Sequence, residues 1–240
     1  MKINWNYIKG LLLLGLVVFL YGFSHHKHSV KKIRDISIEF EEGNNLFMDY
    51  QMVNKMLIQN GKTVVNEAKT VIDLHKLETK VLSHSMVENA SVFLTVDGLL
   101  KSKIKQRTPI ARVISDSKSY YIDRAAKVMP LSANHSARVM LISGDVKEAD
   151  KDDIYLLVTK ILNDEFLKKQ IIGVEKTPDK EFILKTRIGE QSIELGKIKN
   201  LDLKFKNLKS FFNKTMTDKT IDNYTSINLK YSNQVVCTKK

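Results

Sequence analysis

The run from Ile8 to Phe23, IKGLLLLGLVVFLYGF, constrains this chain most, because no other stretch of its 240 residues is so continuously apolar. Between Lys9 and His25 it carries no charge. A hydrocarbon core about 30 Å thick asks for about 20 helical residues, so the uncharged stretch alone is short. Counting from Trp5 to Ser24 closes the gap if Lys9 snorkels and Trp5 and Tyr7 sit at one interface, with Tyr21 at the other. The expectation is one uncleaved transmembrane helix over residues 9–24, preceded by a cytoplasmic tail of residues 1–8. A cleaved signal peptide is the rival, with Gly22 and Ser24 before the cut, but bulky Tyr21 and Phe23 make a poor A-x-A site. Charge leaves the orientation open. Lys2 and Lys9 lie before the span, and Lys27, Lys31, Lys32 and Arg34 after it; the count leans toward a cytoplasmic C-terminal part, yet long domains translocate largely regardless of charge.

Ser24 to Lys32 reads as a polar stalk. Its His25, His26 and His28 invite a metal site, but no carboxylate or cysteine stands near them in sequence, and a solvated stalk is the plainer reading. Beyond it, 43% hydrophobic residues suffice for a packed core and exclude wholesale disorder. A single cysteine, Cys237, excludes a disulfide scaffold, and no unit recurs at a fixed period, so a solenoid or propeller is excluded. The net charge is +12. From Lys197 onward the lysines could meet phosphate backbones, but they interleave with apolar positions and no RRM, HTH or KH pattern appears. No nucleic-acid partner is expected; anionic lipid head groups suit this charge better.

A first folded unit is expected over residues 33–113. Ile36, Ile38 and Phe40 alternate with polar residues as a strand does. A helix follows, with Asp49 as N-cap, Tyr50, Val53 and Leu57 on one stripe, and Asn60-Gly61 as its stop. A second helix opens at Asp73 and places Leu74, Leu77 and Val81 in the core. Ala90, Val92, Leu94 and Val96 then share a strand face, Asp97-Gly98 makes a tight turn, and Leu100, Ser102 and Ile104 return. The order is β-α-α-β-β, a small α+β arrangement with two helices on one face of a three-stranded sheet.

A second unit, expected over residues 114–237 with a tail at 238–240, is β-rich with two helices. Tyr120–Ile122 and Lys127–Leu131 form a hairpin, and Val139–Ser143 another strand. Ile154, Leu157, Val158, Ile161 and Leu162 mark an amphipathic helix led by acidic residues. Strands follow at Ile171–Glu175, Glu181–Thr186 and Ser192–Leu195. Leu201, Phe205, Leu208 and Phe212 fit a helix whose start is ambiguous with a strand. One last strand runs from Ser226 to about Cys237.

The order β-α-α-β-β after a single N-terminal span resembles a POTRA (polypeptide-transport-associated) domain. Gln106-Arg107-Thr108-Pro109-Ile110-Ala111 resembles the "ER-x-P-x-A" passage of the division proteins FtsQ and DivIB. Tyr120-Tyr121-Ile122-Asp123 with Val128-Met129-Pro130-Leu131 resembles that family's "yyID..G.v.pl", with Ala125 or Ala126 where a glycine is usual. Val139–Gly144 resembles "lP.l.G" without its proline. Tyr224–Tyr231 resembles "y..iDLRY", with Asn228 for Asp and Lys230 for Arg.

This resemblance implies a non-enzymatic, single-pass membrane scaffold of the bacterial divisome, with the C-terminal part periplasmic, at the septum of the inner membrane. It implies FtsB, carrying FtsL, as partners docked on the last strand at Tyr231, Asn233, Gln234, Val235 and Val236. It also implies recruitment through the POTRA unit, where His75, Glu78 and Lys101 are the exposed candidates. A POTRA-bearing export or assembly protein is the alternative. No catalytic, cofactor or metal residues are expected: no Walker loop, HExxH, CxxC or GxSxG occurs. Ser83-His84-Ser85 sets a nucleophile type beside a base, but adjacency in sequence is not triad geometry, and Cys237 lacks a neighbouring histidine.

Overall fold

The computed structural model describes residues 5–29, 31–41, 43, 45–59, 61–115, 118–187, 189–232 and 234–240. It begins with helix α1 (Trp5–Ser29). The helix continues through the segment read as a stalk, so Ser24–Ser29 is helical. Its described side chains from Lys9 to Phe23 are all exposed, Leu11 to Leu14 among them. Among the described residues no helix is long and apolar enough to cross a membrane.

The chain divides into two compact units, the first of which takes in α1, with the boundary between Gln106 and Arg107. That is earlier than the Val113 read from sequence, because the strand carrying Pro109 to Val113 pairs within the second unit.

The first unit holds β1 (Asp35–Phe40), α2 (Tyr50–Met56), α3 (Leu74–Leu82), β2 (Val87–Leu94) and β3 (Leu99–Gln106). Its sheet has the order β1-β3-β2, with β1 parallel and β2 antiparallel to β3. Both helices start at aspartate caps: Asp49 accepts from the Met52 N–H at 2.8 Å and Asp73 from the Lys76 N–H at 2.9 Å. Val53, Leu57, Leu77 and Val81 are buried against the Leu100 and Ile104 face. Tyr50 is exposed and Leu74 half-buried, so the stripe of each helix is one residue narrower than its spacing predicts. The hairpin closes at Gly98, whose φ of +97° and backbone approach (an added Cβ would meet the Lys32 carbonyl at 2.8 Å) admit only glycine. Val96 lies in that turn, exposed, rather than on the strand face. At the far end of β3, buried Gln106 accepts from the Phe47 and Met48 N–H groups and donates to the Met48 carbonyl, fastening that loop.

The second unit is a nine-stranded sheet. Its strands are β4 (Pro109–Ser115), β5 (Lys118–Asp123), β6 (Val128–Pro130), β7 (Met140–Gly144), β8 (Ile171–Lys176), β9 (Phe182–Thr186), β10 (Ser192–Gly196), β11 (Tyr224–Asn228) and β12 (Val236–Lys239). The order is β12-β11-β10-β9-β8-β7-β4-β5-β6. Three helices accompany it, not two: α4 (Lys151–Leu162), α5 (Glu165–Gln170) and α6 (Leu201–Thr217). The short α5 starts where Asp164 accepts from the Phe166 and Leu167 N–H groups. Ile154, Leu157, Val158 and Ile161 of α4 and Phe205, Leu208 and Phe212 of α6 share one core with Ile142, Val174, Leu184 and Ile193. The start of α6 is helical from Leu201, because Leu201 and Phe205 bury while Leu203 faces solvent.

Two of the family-like motifs have clear structural reasons. Arg107 pairs with the buried Asp123 at 2.7 Å, and the same carboxylate accepts from the Ala125 and Lys127 N–H groups. This fixes the β5–β6 turn, in which Ala126 takes the left-handed conformation (φ +58°) usually given to glycine. Gly144 has φ +91°, and an added Cβ would lie 2.1 Å from the Lys176 carbonyl.

Candidate functional site

Sequence reasoning expected one strand from Ser226 to Cys237. The chain instead turns back: β11 ends at Asn228, and β12 returns antiparallel to it, pairing Ile227 with Cys237 and Asn228 with Val236. The turn starts with Asn228, whose Oδ1 accepts from the Lys230 N–H at 2.9 Å. Ile227 and Leu229 anchor the hairpin in the core, and the Phe211 and Tyr224 rings meet edge to face at 5.4 Å.

The residues that depart from the family pattern are held in one polar network. Asn228 Nδ2 donates to Glu194 at 2.9 Å, and Ser226 meets the other oxygen of that carboxylate. Lys230 bridges Glu181 at 2.6 Å and Glu194 at 3.5 Å. The hydrogen bond to Glu181, with the charges of both carboxylates, raises the Lys230 pKa above its ordinary value. An acid at position 228 would face the Glu194 carboxylate, so asparagine suits this chain. Beside the network lies a cavity of about 290 Å³ reached by Lys197, Lys204, Lys230 and Ser232. Lys204 donates to the Leu195 and Lys197 carbonyls, and its burial lowers its pKa. Ser226, Asn228, Lys204 and Lys230 are each held by hydrogen bonds or ion pairs, which makes the cluster a brace for the hairpin.

Because β12 is the last strand of the sheet, it has a ladder partner on one side only. The Lys240 N–H donates to the Asn223 carbonyl and the Thr225 hydroxyl to the Thr238 carbonyl, so these two residues turn their backbone groups toward β11. Alternation then sends the N–H and C=O of Cys237 and Lys239 to the outer edge. Side chains alternate too. Val235 and Cys237 pack on the core, whereas Gln234, Val236 and Thr238 are exposed, with Tyr231 exposed in the turn. Of the five docking candidates, Tyr231, Gln234 and Val236 therefore share solvent access, and Val235 points inward. Asn233 lies outside the described residues. Burial pushes the Cys237 thiol upward, away from thiolate chemistry.

The three recruitment candidates in the first unit do not share one surface. His75 is exposed on α3. Glu78, on the same helix, is occupied: its Oε2 accepts from the Val92 N–H at 2.9 Å, on the outer edge of β2. Lys101 lies on the sheet face opposite the helices, paired with Glu39 at 2.8 Å. His84 is a turn residue whose Nδ1 accepts from the Met86 N–H, and burial lowers its pKa. Among the described residues no group of His, Cys, Asp and Glu could hold a metal ion; the side chains of His25, His26 and His28 lie outside them.

Sequence reasoning missed Glu181 and Glu194, the partners of Lys230 and Asn228. The cue available was the pair of departures from the "DLR" pattern, which asks for compensating charge elsewhere. No curated protein matches the chain. A family model described as FtsQ/DivIB, C-terminal related, matches residues 108–238, which is more than half of the chain and takes in every strand of the second sheet but part of the last. The chain belongs to the FtsQ/DivIB family.

Proposed function

We propose that the protein is a non-enzymatic, membrane-anchored scaffold of the cell-division machinery that captures a partner strand on β12. One observation carries the reading: an open terminal strand closes the sheet that spans the family-matched region. A partner segment adding to this edge would bond to the outward Cys237 and Lys239 backbone groups, with Tyr231, Gln234 and Val236 beside it. The occupant in this reading is FtsB, bringing FtsL with it. The first unit serves as a POTRA domain for recruitment, a role its β-α-α-β-β order supports, with the exposed His75 and the Glu39-paired Lys101 as the candidates. Helix α1 supplies the anchor, residues 1–8 stay cytoplasmic, and both units lie in the periplasm at the septum.

The test is co-purification of FtsB and FtsL with the full chain, with a chain ending at Ser232, and with Lys239→Pro. The proline removes an outward N–H that β11 does not use, so the hairpin should survive. Capture should fall by up to about tenfold for Lys239→Pro, which loses one edge bond, and by more for the chain ending at Ser232, which loses them all. Normal capture by either folded variant assigns docking elsewhere. Midcell placement of a fluorescent fusion separates division from export or envelope assembly.

A further inference from the structure

We infer that the outer edge of β1 in the first unit is a second strand-docking site, for an extended peptide segment that alternates apolar and basic residues. The inference concerns a surface separate from β12 and does not depend on what β12 binds.

The geometry starts from the ladder. β1 pairs with β3 and with no other named strand. The Glu41 N–H donates to the Ile104 carbonyl, so odd-numbered residues of β1 turn their backbone toward β3. The Ile36 N–H instead meets its neighbour's carboxylate, Asp35 Oδ1, at 2.8 Å. Alternation therefore directs the N–H and C=O of Ile36, Ile38 and Phe40 away from the sheet. Asp35 covers the first of these. Among the described residues no bond is formed to the outward groups of Ile38 and Phe40.

The edge opens into a groove rather than onto a flat surface. Ile36 and Ile38, on the helix side of the sheet, form its floor and are only half-buried, because α2 covers them incompletely. Tyr50 and Asn54 of α2 make one wall and Val65 closes the other, around a volume of about 520 Å³. The Tyr50 ring meets the Phe40 ring edge to face at 5.2 Å. An added strand would satisfy the outward backbone groups and place every second side chain in this groove, against Ile36 and Ile38.

Charge selects the occupant. Asp35 and Glu41 stand exposed on the open face at the two ends of β1, next to where a neighbouring strand would lie, while Glu39 between them is already paired with Lys101. Two copies of β1 paired antiparallel about Ile38 would set Asp35 opposite Glu41 twice, and like charges opposed across strands repel. A strand with lysine or arginine on its solvent side meets these acids favourably.

The experiment uses the full chain in detergent micelles and a short synthetic peptide alternating valine and lysine. Hydrogen exchange should slow at Ile36, Ile38 and Phe40 when this peptide is added, and a valine–glutamate peptide should leave those amides unchanged. Ile38→Pro removes an outward donor without costing a bond to β3 and should weaken binding by about tenfold. Asn54→Trp fills the groove from α2 without altering β1 and should weaken binding similarly, which keeps the test intact should the proline variant unfold. Equal protection by the glutamate peptide overturns the inference. So does unchanged binding by both variants, or concentration-dependent protection of the same amides without peptide, which would assign the edge to a second copy.

Discussion

Each of the two sheets ends in one guarded strand and one open strand, but the guards differ in kind. In the first unit β2 is guarded by a side chain: Glu78 reaches from α3 to the Val92 N–H and holds it at 2.9 Å. The opposite edge, β1, has a guard only at its first residue, where Asp35 covers the Ile36 N–H. In the second unit the edge strand β6 is guarded by its own covalent form, being three residues long and ending in Pro130, which has no N–H. Its counterpart β12 has no such device. A guard made by proline acts wherever the strand goes, whereas one made by a carboxylate acts only while its helix holds it against the strand. Edge protection in the first unit is thus conditional on one helix staying in place.

The largest test asks whether the two sheets stand on separate cores. Lys176 is buried, and its ammonium is held by Asp150 at 3.0 Å and by the Asp145 carbonyl at 2.6 Å. Asp150→Ala leaves that charge in the interior without its counter-ion and should destabilise the second unit by about 3–5 kcal/mol. Hydrogen exchange should report the loss at Ile142, Val174 and Leu184 while Leu77 and Ile104 keep their protection. Simultaneous loss in both units would break the comparison at its root.

Next in size is removal of the side-chain guard. Glu78→Ala deprives the Val92 N–H of its acceptor and should cost the first unit about 1–3 kcal/mol. It should also turn β2 into an open edge, seen as concentration-dependent self-association in sedimentation. A variant that melts earlier yet stays monomeric would mean that Glu78 holds α3 in place without protecting the edge.

These contrasts explain what could be read in advance. The Asp97-Gly98 hairpin and both aspartate-capped helices of the first unit were legible because their chemistry is local: a left-handed glycine, or a carboxylate bonding an amide three residues on. The helix α5 was not, since its six residues are too few for a periodic stripe. The terminal hairpin was read as one strand because no glycine or proline interrupts Leu229 to Cys237; the turn is made by the Asn228 side chain, which looked like a family departure rather than a turn signal. Glu78 was read as exposed because its partner lies on a different strand, 14 residues away. A contact of that kind depends on tertiary packing and leaves no mark in spacing.

A smaller effect sharpens the comparison at the other open edge. Asn228→Asp replaces the amide that donates to Glu194 by a second carboxylate and should cost about 1 kcal/mol, discounted for partial exposure. The deficit should shrink as the pH falls and one acid of the pair protonates. A loss of the same size at every pH would point to the amide's shape rather than its charge.

The smallest effect separates the two units by pH. Burial holds the His84 pKa below its ordinary 6.5, so the unfolded chain takes the proton first. Its contribution to the first unit is complete above about pH 6.5 and is lost as the pH falls through the lowered folded value. The carboxylates Glu39 and Asp97 of the same unit also have lowered pKa values, but their ordinary values are 4.5 and 3.8, so their losses begin at more acid pH. Lys230 in the second unit has the opposite sign: its pKa is raised, chiefly by Glu181, so its contribution is present below about pH 10.5 and is lost as the pH climbs through the raised value. Melting followed unit by unit should show the first weakening just below pH 6.5, whereas the second, whose Asp164 pKa is lowered from 3.8 by Lys209, should weaken in acid only at lower pH and in alkali as Lys230 loses its proton. His84→Gln should remove the acid-side slope near pH 6 while leaving the alkaline limb untouched. If that slope persists in the variant, another group titrates there and the buried imidazole is not its source.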